Sequence, residues 1–460
     1  MSHTYNISLS SLKNSLKVKP DRLPMITQTE DSFNKFKVLS TNQIFYYSNY
    51  DNGLYNENRE LLTPKADVSN YDVVISETRS RVKSNKPYWI RILLGHACNY
   101  SCDYCMQKDI GNPDEREKIT TTAYFIEQLG KLDWSRVQKV DLWGGETLLY
   151  WKTIVEIINA FDRENIEWYF PTNGTPLQMK HVEFFRSLKG KVSIGISHDG
   201  PGHVRLRGEE FLHKKIDVLK ALQQSPNVQF SFNPVLSHTN CDLFDINNFF
   251  YRFCRDNDLD ISKIGISWTL GHNHDYENTS NSALHVIHGD QLEIFKYQLK
   301  NYLKMCSEQK FDGIDYCLMN NSLYHGGIGV LPYLKTLRQQ ILPTVMTSCG
   351  VDDEGVLSVD MKGNVRTCPH TDESFIGGHL EELDKVKLKR VDLDRYEKHC
   401  SKCPVFRLCK SNCPIEVPDE VFYTNCAVEK VYHRAVQHEA FKILFKSDVV
   451  LEPRDVVVNE

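Results

Sequence analysis

Long apolar runs and a strong net charge are both missing from this sequence of 460 residues. No stretch approaches the roughly 18 apolar residues of a membrane-spanning helix. The opening segment, MSHTYNISLSSLKNSLKVKP, lacks the apolar core of a secretory signal peptide. The net charge of -5 at pH 7 is too small to indicate, by itself, binding to nucleic acid or to an anionic membrane. We therefore expect a cytoplasmic protein that has no membrane partner.

Cysteine is abundant by contrast, with 14 copies. Thiols in a reducing compartment rarely form disulfides and more often bind metals or stay buried. Four of them, which lie singly among apolar residues and are expected to be small buried side chains, are Cys241, Cys254, Cys306 and Cys317. The other ten fall into a first group of Cys98, Cys102 and Cys105 and a second group of Cys349, Cys368, Cys400, Cys403, Cys409, Cys413 and Cys426.

Short apolar runs alternate with helical patterns between residues 88 and 270. The predicted strands are YWIRILL, KVDLW, EWYF, KVSIGIS, VQFSFNPVL and KIGISWTL, and the predicted helices are TTAYFIEQLGKL, WKTIVEIINAF, KHVEFFRSL, FLHKKIDVLKAL and CDLFDINNFFYRFC. Such βα repeats predict an α/β fold with a parallel sheet, whose chemistry lies at the C-terminal ends of the strands. The first cysteine group directly follows the first predicted strand.

The spacing of the first cysteine group suits a 4Fe-4S cluster. Such a cluster takes cysteine ligands and has four irons, so three thiolates leave one iron without a protein ligand. The stretch GHACNYSCDYCMQ resembles the signature of the radical S-adenosylmethionine (SAM) superfamily. This resemblance implies a partial (β/α)6 barrel in which SAM chelates the open iron. It also implies reductive cleavage of SAM to a 5'-deoxyadenosyl radical, which abstracts hydrogen from a carbon of the substrate.

Several later motifs match the residues that hold SAM in this superfamily. Gly144, Gly145 and Glu146 in WGGET resemble the Gly-Gly-Glu element that receives the amino group of SAM, which needs acceptors. Asn173 in PTNG resembles a polar residue beside the cofactor. Tyr104 matches the aromatic residue before the third cysteine, whose backbone meets the adenine, although its side chain is equally suited to plain packing.

The stretch ISHDGPGHVRLR continues this resemblance. Ser197 and Asp199 match the family's Ser-x-Asp-Gly-Pro and imply contacts to the ribose hydroxyls. Arg205 or Arg207 is a candidate for binding the methionyl carboxylate as a charge-assisted fork. The alternative for these two arginines is a solvated turn.

The second cysteine group resembles the SPASM extension of radical SAM enzymes, which carries two auxiliary 4Fe-4S clusters. Zinc ribbons use paired C-x2-C units, and this group contains one such pair. The resemblance, which covers about residues 87 to 432, assigns Cys400, Cys403, Cys409 and Cys426 to a complete cluster. It assigns Cys349, Cys368 and Cys413 to the other.

The second auxiliary set therefore has three thiolates. Some relatives supply a fourth from a cysteine six residues before the first, where this sequence has Pro343. The open iron is left to a substrate, solvent or a distant residue such as Cys317. After Cys368 comes Pro369, where sulfatase-maturing relatives have an aspartate, and His370 is a candidate for proton transfer, or else an ordinary surface histidine.

These patterns predict five segments along the chain. They are an N-terminal cap or substrate-recognition segment (1–86), the radical SAM core (87–320), a connecting helical segment (321–348), the auxiliary-cluster domain (349–432) and a C-terminal helix and tail (433–460). For the first segment, a leader-peptide binder and a nucleic-acid binder are alternatives to a cap packed on the sheet.

Three functions stay open at this point. The first is modification or cross-linking of a peptide side chain, since SPASM enzymes mostly act on ribosomally made peptides. The second is rearrangement of an amino-acid-decorated thymidine in hypermodified phage DNA. The third is a non-enzymatic iron-sulfur electron carrier, which would not need the Gly-Gly-Glu and Asp-Gly-Pro elements. For an enzyme of this class, the resemblance implies a flavodoxin- or ferredoxin-type electron donor.

Overall fold

The computed structural model describes residues 30–64, 82–105, 107, 122–271, 286–308, 329–339, 350–351, 353–368, 376–388, 400, 402–409, 413 and 418–452. The strands in these ranges are β1 (Phe33–Val38), β2 (Ile44–Ser48), β3 (Leu54–Tyr55), β4 (Trp89–Leu93), β5 (Lys139–Trp143), β6 (Glu167–Thr172), β7 (Lys191–Ile196), β8 (Val228–Phe232), β9 (Val235–Leu236), β10 (Ile264–Ile266), β11 (Thr269–Leu270), β12 (Val356–Asp360), β13 (Asn364–Arg366), β14 (Ile376–His379) and β15 (Val449–Leu451).

The helices in the same ranges are α1 (Thr122–Gly130), α2 (Trp151–Phe161), α3 (Met179–Ser187), α4 (His203–Arg207), α5 (Ile216–Gln223), α6 (Leu243–Asp256), α7 (Gly289–Glu308), α8 (Val330–Gln339), α9 (Phe406–Cys409) and α10 (Asp419–Phe445). Within the described residues, no helix combines the length and the apolar character needed to cross a membrane.

A nine-stranded sheet forms the centre of the fold, in the order β10-β8-β7-β6-β5-β4-β12-β13-β14. The six strands from β10 to β4 are parallel, and β12 pairs in parallel with β4. The last two strands of the order run antiparallel to their neighbours. This mostly parallel α/β sheet confirms the fold class predicted from the sequence.

Two of the predicted strands are interrupted. VQFSFNPVL forms β8 and then β9, because Pro234 lies between them and has no N–H to donate to a sheet. KIGISWTL likewise forms β10 and then β11, and the two short strands β9 and β11 pair with each other in parallel. The predicted β-like runs were right in place, but two of them were predicted too long.

The two faces of the parallel strands have different chemistry. Ile90, Ile92, Val140 and Leu142 point to one face and are fully buried. Helices cover this face: α2, for example, buries apolar residues at positions 154, 157, 158 and 161, the spacing of one helical stripe. The alternate residues of β4 and β5, which point to the opposite face, include Trp89, Arg91, Lys139, Asp141 and Trp143.

A second, smaller sheet joins the two ends of the described chain in the order β15-β1-β2-β3. Its aromatic residues pack on α10: the ring centroids of Phe45 and Phe445 lie 4.3 Å apart, and those of Phe36 and Phe441 lie 5.1 Å apart. These contacts place residues 33–48 on the long C-terminal helix, and the role of the segment 1–86, as a cap or as a substrate-recognition segment, stays a prediction. The limits of the five predicted segments stay predictions.

Candidate functional site

The first cysteine group lies in the loop that follows β4, against the loop that follows β5. The Gly145 N–H donates to the Gly95 carbonyl at 3.0 Å, and the Glu146 N–H donates to the Ala97 carbonyl at 2.9 Å. The Ala97 N–H in turn donates to the Tyr150 hydroxyl at 2.8 Å. These hydrogen bonds hold the Gly-Gly-Glu element and the cysteine loop together at the C-terminal edge of the sheet.

Glycine is required at position 145 by this close approach. A Cβ atom on Gly145 would lie 2.2 Å from the His96 carbonyl oxygen and 2.6 Å from that of Ala97. Both are backbone atoms, which cannot turn away as a flexible side chain would. The glycine thus lets one loop lie directly on the backbone of the other.

The three thiols of this loop are unequal. Cys98 and Cys105 are exposed, and Cys102 is buried. Burial raises the pKa of the Cys102 thiol to about 11; the Arg207 charge opposes this shift, and Cys105 and Cys98 add to it. The mutual effect shows that the three sulfur atoms are electrostatic neighbours. Because iron binds the thiolate, this donor set fits a cluster whose binding releases protons.

Glu146 forms a buried acceptor beside these thiols, with 1% of its surface exposed. Its Oε1 accepts from the Leu148 N–H at 2.9 Å and the Thr172 hydroxyl at 2.7 Å, and its Oε2 accepts from the Asn173 N–H at 2.6 Å. Burial raises the pKa of Glu146, while these three donors lower it. A carboxylate offers about four lone-pair positions, so one remains on Oε2. This remaining lone pair of Oε2 can accept a hydrogen bond from an ammonium group.

Asn173 connects the end of β6 to the cysteine loop. Its Nδ2 donates to Asn99 Oδ1 at 2.7 Å, and its Oδ1 accepts from the Thr175 N–H at 3.0 Å. Asn99 Nδ2 also donates to the Thr175 hydroxyl at 2.7 Å. The side chain therefore fixes the loop between Cys98 and Cys102, whatever else it contacts.

Asp199 and Arg207 form a buried ion pair next to the same loop. Arg207 Nε lies 2.8 Å from Asp199 Oδ2, and Arg207 Nη2 lies 3.2 Å from Oδ1. The Tyr104 hydroxyl donates to Oδ2 at 2.6 Å, and the Val235 N–H donates to Oδ1 at 2.9 Å. Burial raises the pKa of Asp199, but Arg207 and the other donors outweigh it and leave the pKa lowered.

Four donors thus occupy the four acceptor positions of the Asp199 carboxylate. A ribose hydroxyl would have to share or displace one of them. The predicted contacts of Asp199 to ribose and of Arg207 to the methionyl carboxylate stay predictions. Tyr104 belongs to the same network, and its ring lies 5.2 Å from the Arg207 guanidinium carbon.

The remaining two cofactor candidates differ in position. Ser197 is half-buried at the C-terminal end of β7, where its N–H donates to the Thr172 carbonyl at 2.8 Å. Arg205 is exposed on α4 and donates to the Thr239 carbonyl. Of the two arginines, Arg207 is therefore the one that lies beside the cysteine loop.

The second cysteine group brings four thiols together. Burial raises the pKa of Cys409 well above its ordinary value, and the charges of Glu429, Cys403, Cys426 and Cys400 raise it further. The Cys403 N–H donates to the Cys400 carbonyl at 2.9 Å. These neighbours are the four cysteines assigned to the complete auxiliary cluster, an assignment that stays a prediction.

The other auxiliary set is described only in part. Cys368 follows β13 and is partly buried, as is Cys413. Cys349 and His370 lie outside the described residues, as do Pro343, Pro369 and Cys317. The cysteine allocation of this set and the proton-transfer role of His370 therefore stay predictions.

Two residues beside the four thiols were missed by sequence reasoning. Glu429 and His433 lie one turn apart on α10, and His433 Nε2 is 3.1 Å from Glu429 Oε2. One ligand-type atom from each of Cys409, Glu429 and His433 lies within 4.8 Å of the others. His433 Nδ1 is buried and has no hydrogen-bond partner. Their i, i+4 spacing was the signal in the sequence, but it is common on helices.

Comparison with known proteins agrees with this site. Residues 92–238 match the family described as the Radical SAM superfamily. A radical SAM cyclopropyl synthase, TigE of Paramaledivibacter caminithermalis, is 24% identical over 346 residues, 71% of this chain and 64% of its own length. GTP 3',8-cyclase of Clostridium perfringens (strain SM101 / Type A) is 24% identical over 329 residues, 68% of this chain and 91% of its own length.

Solved structures share the fold as well. Native anSMEcpe with bound AdoMet and Cp18Cys peptide superimposes with a TM-score of 0.50 at 16% identity, over 78% of this chain and 99% of that chain. The cysteine-rich C-terminal region is consistent with a SPASM-type enzyme. Residues 92–238 therefore match the radical SAM superfamily, and the relatives and the shared fold agree with that match.

Proposed function

We propose that this enzyme cleaves SAM reductively and abstracts hydrogen from a peptide side chain, in peptide maturation or cross-linking. The observation that carries the proposal is the packing of the Gly-Gly-Glu loop on the three-cysteine loop. It brings three thiols and the buried Glu146 acceptor to one edge of the sheet. A chain whose cysteines only carried electrons would not need that acceptor.

The residues present fit the two cofactors that the superfamily uses, a 4Fe-4S cluster and S-adenosyl-L-methionine. Cys98, Cys102 and Cys105 would hold the cluster, and Glu146 would orient the amino group of SAM through its remaining Oε2 position. When bound, the cluster supplies the electron that splits SAM into methionine and a 5'-deoxyadenosyl radical. Asn173 and the Asp199–Arg207 pair keep the surrounding loops in place and limit access of water to Cys102.

The peptide substrate has two supports. The structure of anSMEcpe, which shares the fold, holds a bound peptide, and four C-terminal thiols lie together here as auxiliary clusters would require. A modified thymidine in DNA is the competing substrate. The electron donor in this proposal is a flavodoxin or ferredoxin.

The test starts from anaerobically reconstituted protein with a chemical reductant. We expect methionine and 5'-deoxyadenosine from SAM. Candidate peptides encoded beside the gene are then added, and mass spectrometry follows the change in mass of the peptide. Deuterium transfer from a labelled side chain into 5'-deoxyadenosine identifies the carbon attacked. Deuterium transfer from a decorated thymidine, with none from any peptide, would refute the peptide substrate.

A further inference from the structure

Three charged side chains meet on the face of the central sheet opposite the one that α2 covers. The register pairs Trp89 with Lys139 and Arg91 with Asp141 on the adjacent strands β4 and β5. Directly paired residues of parallel strands point to the same face. Asp141 therefore lies between two cations, with Arg91 Nε 3.6 Å from its Oδ2 and Lys139 Nζ 3.5 Å from its Oδ1.

This charged trio, Arg91, Lys139 and Asp141, is only loosely paired. Both distances exceed the 2.7 to 3.2 Å of an ordinary N–H to O hydrogen bond. Arg91 Nε and Asp141 Oδ1 are buried and make no hydrogen bond. The Asp141 side chain is 0% exposed and that of Arg91 only 11% exposed. Buried charged groups normally have close partners. We therefore expect the trio to bind a further polar group.

Aromatic rings hold the two cations in place. The Arg91 guanidinium carbon lies 3.8 Å from the centroid of the Trp89 ring, and Lys139 Nζ lies 4.7 Å from the same ring. Lys139 Nζ is also 5.1 Å from the Tyr169 ring, and Trp143 Nε1 donates to Asp141 Oδ2 at 3.4 Å. The two cations and one anion leave the trio with a net charge of +1. The aromatic rings around it offer apolar contacts to the short aliphatic part of a bound side chain.

The trio lies on β4 and β5, the two strands that are followed by the cysteine loop and by the Gly-Gly-Glu element. Arg91 is two residues before Leu93, the last residue of β4, which is about 7 Å at the usual rise of a strand. A substrate group bound at the trio would hold the rest of the substrate toward the C-terminal edge of the sheet, where the cysteine loop lies. DNA phosphates are bound by several exposed cations along a surface, which a mostly buried trio on two strands does not provide.

We propose that Arg91 and Lys139 bind a carboxylate of the peptide, with Asp141 as the positioning residue between them. This inference rests on the peptide substrate proposed above. Arginine suits this task because its planar fork can hold both oxygens of a carboxylate. The negative Asp141 limits the affinity, so that the bound carboxylate can leave with the product.

The test uses the N-acetyl amide of glutamate, which presents one side-chain carboxylate, and its glutamine counterpart, which has nearly the same shape and no charge. Binding to the reconstituted protein is followed by calorimetry and by tryptophan emission, because Trp89 and Trp143 line the trio. We expect the glutamate compound to bind at least about tenfold more tightly than the glutamine compound. N-acetylglycine, which has a terminal carboxylate, distinguishes a chain end from a side chain.

Three variants separate binding from folding. Asp141→Asn removes the competing charge and should tighten binding of the glutamate compound at least about threefold. Adding Arg91→Gln to it removes one charge of each sign in total, so the net charge of the trio stays at +1 as in the unaltered protein, and should weaken binding at least about tenfold relative to Asp141→Asn. Lys152→Gln, which removes an exposed positive charge on α2, should bind within about twofold of the unaltered protein.

Each contrary result overturns the proposal. Equal binding by Asp141→Asn and the double variant would show that Arg91 takes no part. Unchanged binding in Asp141→Asn would show that the trio only stabilises the fold, and inorganic phosphate binding more tightly than the glutamate compound would point to a phosphate-bearing substrate. SAM cleavage by the unaltered protein is measured separately, so the proposed function can fail or stand independently of this site.

Discussion

The two cysteine groups are held by different means. The first lies in a loop with two exposed thiols, Cys98 and Cys105, and the loop is supported from below by the backbone of Gly145. In the second, Cys409 and Cys426 are partly buried and sit on helices α9 and α10, next to Glu429. Two of the three thiols of the first group are thus exposed, whereas these two thiols of the second group are partly covered by protein.

This difference corresponds to two kinds of chemistry. An iron that must receive a cofactor needs a thiol set with an open side and acceptors nearby, which the Glu146 carboxylate provides. A cluster that only passes electrons gains from burial, because its potential depends on solvent exposure and on hydrogen bonds to its sulfur atoms. The predictions below test whether the two groups are as independent as this comparison implies.

The largest effect is expected from removing the first group. Reconstituted protein should hold about twelve irons, and the Cys98→Ala, Cys102→Ala, Cys105→Ala triple variant about eight, because each 4Fe-4S cluster contains four. SAM cleavage should be lost entirely. Iron analysis and 5'-deoxyadenosine formation provide the measurements. Stoichiometric zinc with little iron in the native protein would contradict the assignment of both groups.

Gly145→Ala should damage the first group nearly as much. Its Cβ would lie 2.2 Å from a backbone oxygen, so the cysteine loop must shift away from Glu146. We expect loss of most SAM binding and of about four irons, with the auxiliary clusters retained. Gly130→Ala is the matched control, because no atom lies within 4 Å of its added Cβ. Normal SAM binding in Gly145→Ala would show that the loops are not packed as described.

Glu146→Gln should have a smaller and more selective effect. It keeps the side-chain shape but removes the charge facing the amino group of SAM, which should cost about 1.5 to 3 kcal/mol of binding free energy. Calorimetry should show SAM binding about 10- to 150-fold weaker, with unchanged iron content. An unchanged affinity would refute the assigned role of Glu146.

The smallest effect is expected at the second group. His433→Leu removes a buried ring beside Cys409 and Glu429, so the electronic spectrum and the reduction potential of one auxiliary cluster should shift. The measurement is best made in the triple cysteine variant, which lacks the first cluster. Tyr423→Leu, an exposed change on the same helix, is the control. A spectrum identical to that of the control would leave His433 as a packing residue only.

Sequence reasoning succeeded where a local pattern has a local cause. The parallel strands and their helices follow from apolar periodicity, since one face of β4 and of β5 is fully buried, and the place of the cysteine loop follows from its position after β4. Pairings between distant segments had no such signal. The Ser40 N–H bonds to Ser447, 407 residues away, and the Arg91–Asp141 approach depends on the register of two strands. The four hydrogen bonds that occupy the Asp199 carboxylate could not be predicted without coordinates either.

Because β1 pairs with β15, the small sheet cannot be completed until β15 has been synthesised. At about 5 to 20 residues per second, β1 leaves the ribosome roughly 20 to 80 s before β15, and until then one edge of the small sheet has no partner. The apolar surface of α10, which covers that sheet, is also synthesised after the strands of the central sheet. The small sheet can therefore close only after every strand of the central sheet has left the ribosome.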